Sequence, residues 1–83
     1  RKETELSVII KRVPLDTEHD NQKWLCLEGS IAGVPQVTKR RSINTSALAD
    51  GSLSLDSEKA KLIADVEEYH ARWLAVQEAL REL

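Results

Sequence analysis

The closing stretch of the chain, Ser57 to Leu83, reads SEKAKLIADVEEYHARWLAVQEALREL, and its periodicity decides the fold. It contains no Gly and no Pro, and five alanines stand among many Glu, Leu, Lys and Arg, residues that lose little freedom on entering a helix. Asp56 or Ser57 is suited to cap its start, and Glu58 falls in the first turn, where the helix dipole favours a carboxylate. Glu68 precedes Arg72 by four residues, a favourable pairing on one helical face. A helix over about 57–83 is therefore predicted. Leu62, Val66, Tyr69, Trp73, Val76, Leu80 and Leu83 follow one another in alternating steps of four and three, which keeps all seven on one face. Ile63 widens that stripe near its beginning, while Glu67, Glu68, Glu78 and Glu82 fall on other faces.

Upstream, the period changes from helical to alternating. Leu6, Val8 and Ile10 alternate with Ser7, Ile9 and Lys11, which predicts a strand over about 4–13 that Pro14 ends. LDTEHDNQ, residues 15–22, is polar and suits a wet connection. In the next predicted strand, about 23–31, Leu25 and Leu27 point one way and Trp24 and Cys26 the other, so both faces are apolar and the strand belongs in the middle of a sheet. Gly29 allows a bulge, and Gly33-Val34-Pro35 a turn. A third strand over about 36–43, QVTKRRSI, puts Lys39 and Arg41 on the face of Val37 and Ile43; such charges suit an edge, where they discourage pairing with foreign chains. Asp50-Gly51 either closes a hairpin onto a fourth strand at 52–55 or lies in a loop. The expected fold class is α+β: a small antiparallel sheet of three or four strands followed by one long C-terminal amphipathic helix, in a single domain covering 1–83.

Composition narrows the setting. A chain of 83 residues buries only roughly 60% of the surface exposed when unfolded, so stability is marginal. The aromatics are Trp24, Tyr69 and Trp73 alone, leaving Leu, Ile, Val and Ala to build the core. One cysteine, Cys26, forms no internal disulfide, which points to a reducing intracellular compartment, cytoplasm or nucleus. No apolar run reaches the ~18 residues of a membrane span, and no signal-peptide pattern is present. Starting at Arg1 and stopping at Leu83 within a helical pattern, the chain reads as a piece of a longer protein. Its net charge is −2, divided unevenly: residues 1–43 carry eight Lys or Arg against six acids, residues 44–83 four against eight.

The stripe carries the functional expectation. A helix of 27 residues is about 40 Å long, whereas strands of eight or nine residues reach about 30 Å, so the far end of the helix overhangs its own sheet. Burying Trp73, Val76, Leu80 and Leu83 is worth about 1.5–3 kcal/mol each, too much to leave uncovered on a marginal domain. Leu62, Val66, Tyr69, Trp73, Val76, Leu80 and Leu83 are thus the candidate partner-binding residues, for homodimerisation or for docking another protein. The opposing expectation is a monomer, a structural piece of a larger assembly, in which the stripe is ordinary core. Tyr69 and Trp73 are large for a parallel seam, and the flanking Ile63, Asp65, His70, Arg72, Gln77 and Ala79 form no opposite-charge ladder, so a short antiparallel or bundled contact fits better than a long parallel zipper.

Other constellations are weaker. Arg72 to Leu80, RWLAVQEAL, resembles the closing helix of a pleckstrin-homology domain, but the chain before it holds too few strands for that barrel, and neither fold nor function is taken from it. Lys39, Arg40 and Arg41 lie in an acid-free stretch from Gly29 to Ala49 and form a candidate basic contact for nucleic acid. Three cations without interleaved aromatics, on a chain of pI about 5.7, make that the lesser alternative. KRRSI makes Ser42 a candidate for basophilic kinases. Asp16, Glu18, His19 and Asp20 lack the spacing of a calcium loop or a zinc site, so no metal or cofactor is expected. His70 borders the stripe. Cys26 as a nucleophile needs a base from His19 or His70, and no phosphate loop or nucleophile turn occurs; a non-catalytic protein is the expectation.

Overall fold

A computed structural model describes residues 8–83. Strand β1 (Val8–Arg12) leads through a short helix α1 (Glu18–Lys23) into β2 (Trp24–Ile31), and β3 (Val34–Asn44) follows a two-residue turn. A second short helix α2 (Thr45–Ala49) then precedes the long α3 (Leu55–Leu80). The strands pair antiparallel in the order β1-β2-β3, and α3 lies across one face. This is the predicted α+β arrangement, with the doubly apolar strand central and the charged strand at an edge.

Alternation fixes which face each residue serves. Leu27 and Ile31 of β2, Val37 and Ile43 of β3, and Leu62 and Val66 of α3 form the buried core, ringed by half-buried Val8, Ile10, Leu25, Val34, Leu48, Leu53, Tyr69 and Trp73. Gly29 pairs with Ile10 on one side and Lys39 on the other and sits beneath the helix. A Cβ there would lie 3.0 Å from Val66 Cγ2 and 3.2 Å from Leu62 Cγ, so the missing side chain is what lets α3 approach the sheet. The irregularity expected at Gly29 falls instead next to it, between Ser30 and Ile31. Gly33, with φ +83°, makes the turn into β3.

Several boundaries differ from expectation. The wet connection at 15–22 holds α1, capped by the Thr17 hydroxyl, which accepts from the Asp20 amide, and steadied by Asn21, whose side chain bonds the backbone of Leu15 and Thr17. No strand forms at 52–55. Asn44 instead caps the alanine-bearing α2 by accepting from the Ser46 and Ala47 amides. Gly51, at φ +86°, then reverses the chain, and the Leu53 amide donates to the Ala47 carbonyl. That reversal frees Ser54 to cap α3 through the Ser57 amide, so the helix begins at Leu55, ahead of the caps expected at Asp56 or Ser57. Its regular hydrogen bonding ends at Leu80, and Arg81–Leu83 close it in tighter turns. Residues 4–7 of the first predicted strand lie outside the described residues, and Val8–Arg12 is the part seen.

Candidate functional site

The seven residues of the apolar stripe divide sharply once the sheet is in place. Leu62 and Val66 are 0% exposed against Gly29 and the core, so the expectation that they meet a partner is corrected: they hold the chain's own sheet to its helix. Tyr69 is half-buried, with the Lys39 ammonium 5.1 Å from its ring centroid, a cation–π contact between β3 and α3. Trp73 is also half-buried at the rim of the core, its ring stacked on that of His70 at 6.2 Å between centroids. Beyond Trp73 nothing among the described residues covers the stripe: Val76 and Leu80 are each 53% exposed and Leu83 fully. Leu74, 50% exposed, lies about 120° around the helix from Leu80 and belongs to another face.

Length explains the division. The 26 residues of α3 span about 39 Å at ~1.5 Å each, whereas the eight residues of central β2 span about 26 Å at ~3.3 Å each. Among the described residues the sheet runs out near Trp73, and the last two turns of α3 carry their apolar face past it.

The basic cluster is split by the pleat. Arg41 faces α3, where its Nε donates to Glu58 Oε1 at 2.6 Å, and the same carboxylate takes Lys61 Nζ at 3.4 Å. Glu58 is buried, and the Arg41 hydrogen bond holds its carboxyl below the ordinary value of 4.5, against the opposing effect of burial. Assigning Glu58 to the helix dipole alone, as its place in the first turn suggests, misses this tie between β3 and α3. Arg40 points to the open face of the sheet and joins Glu28 at 3.1 Å, with Lys11 on the same carboxylate at 3.7 Å. Register makes that row: Lys11 pairs with Glu28 and Glu28 with Arg40 across three strands. Lys39, Arg40 and Arg41 each have a partner in the fold, on two different faces, and do not form one continuous positive surface.

On that open face a shallow cavity of about 600 Å³ is lined by Pro14, Leu15, Asp16, Asp20, Trp24, Arg40 and Ser42. Ser42 is exposed there, within β3 opposite Cys26. Cys26 is buried beneath the open face, whereas His70, 7% exposed, belongs to α3 on the other side of the sheet, so the two do not meet. His19 is exposed on α1. Among the described residues no group of three or more His, Cys, Asp or Glu is placed to hold a metal ion, and no helix is long and apolar enough to cross a membrane. Comparison with protein-family models, with curated proteins and with solved structures finds no match.

Proposed function

We propose that this chain is a non-catalytic protein-interaction module whose docking surface is the end of α3, from Trp73 to Leu83. One observation carries the reading: Val76 and Leu80, with Leu83 beyond them, stand at least half exposed along the face that Leu62 and Val66 bury fully upstream. Covering such side chains is worth about 1.5–3 kcal/mol apiece when complete, a large return for a domain of marginal stability. The face continues from a rigid body, since Glu58 and the Leu62–Val66 contact fix the first half of the helix to the sheet. A docking helix therefore meets a preformed surface and loses little entropy in organising it. The single buried thiol of Cys26 supports placing this module in a reducing, intracellular compartment.

Nucleic-acid binding through Lys39, Arg40 and Arg41 draws less support, because the partners of these cations lower their net field and the pleat aims them apart. The interaction reading is tested by sedimentation over a range of concentrations. Wild type is expected to exceed its 9.3 kDa monomer mass as concentration rises, and the Val76→Glu/Leu80→Glu variant to remain monomeric with unchanged circular dichroism. If both are monomeric and equally soluble throughout, self-association through this surface is wrong.

A further inference from the structure

We draw no further inference here: the strongest candidate, the exposed apolar face at the end of α3 around Val76, Leu80 and Leu83, belongs to the site already described, and nothing in the structure shows what covers it.

Discussion

Leu62 and Leu80 stand eighteen residues apart on one helix, five full turns at 3.6 residues per turn, and so point in the same direction. One is 0% exposed and the other 53%. Nothing in their own chemistry separates them. The first lies over Gly29, where the sheet's lack of a side chain admits the helix to close contact; the second lies beyond the end of the sheet. Periodicity thus sets the direction of an apolar face, and the lengths of the neighbouring elements set how much of it is covered. The covered half holds the helix to the sheet, and the uncovered half is the surface for which association is proposed.

The comparison breaks most readily at its buried end. Leu62→Ala deletes atoms packed against Val66 and the sheet and leaves a cavity, so a loss of about 2–5 kcal/mol is expected from urea unfolding followed by circular dichroism. On a chain of this size that is a large part of the total. A loss under about 1 kcal/mol would mean that the helix and sheet are held together by something other than this contact.

Part of this comparison is visible in the sequence and part is not. The stripe, the doubly apolar strand from Trp24 and the charged edge at Lys39 to Arg41 rest on local periodicity, and the structure has the elements that those patterns predict. Gly29 was legible as an exception within a strand, but its purpose depends on Leu62 and Val66, more than thirty residues later. The two short helices were missed because LDTEHDNQ and the Ser- and Ala-rich stretch after Asn44 are too short to show a period. Their caps, Thr17 and Asn44, are the signals that mark them. The division of the basic cluster was also out of reach: alternation separates Arg40 from Arg41, but only strand register brings Glu28 to one, and only the placement of α3 brings Glu58 to the other. The open-face cavity gathers residues from three separate segments, and no local pattern announces it.

A second, smaller effect concerns how the covered half is tethered. Arg41 holds the Glu58 carboxyl below its ordinary value of 4.5, so across that range the folded chain binds fewer protons than the unfolded one. The stability this contributes is complete above about 4.5 and is lost as pH falls through it toward the lowered value. Glu58→Gln is expected to flatten the acid limb of a stability profile taken between about pH 3 and about pH 6. Some slope remains from Asp50, whose carboxyl is lowered by its hydrogen bonds from Ser52. Parallel profiles for wild type and variant would show that the ion pair with Arg41 does not distinguish the folded from the unfolded state.

The smallest change is expected at the other end of the helix, and it sharpens the comparison best. Leu80→Ala removes side-chain atoms that already face solvent in the protomer, and Ala is the stronger helix former, so at high dilution unfolding is expected to shift by no more than about 0.5 kcal/mol. Raising the concentration should separate the two proteins. On the proposed self-association a second copy would bind the folded chain and not the unfolded one, so wild type is expected to gain stability as pairing approaches saturation and the variant to gain less. A dilute-solution loss as large as that of Leu62→Ala would mean that Leu80 is already enclosed within one chain, and the two halves of α3 would then serve the same purpose. Equal behaviour at every concentration would place Leu80 outside any contact between chains and count against the proposed docking surface.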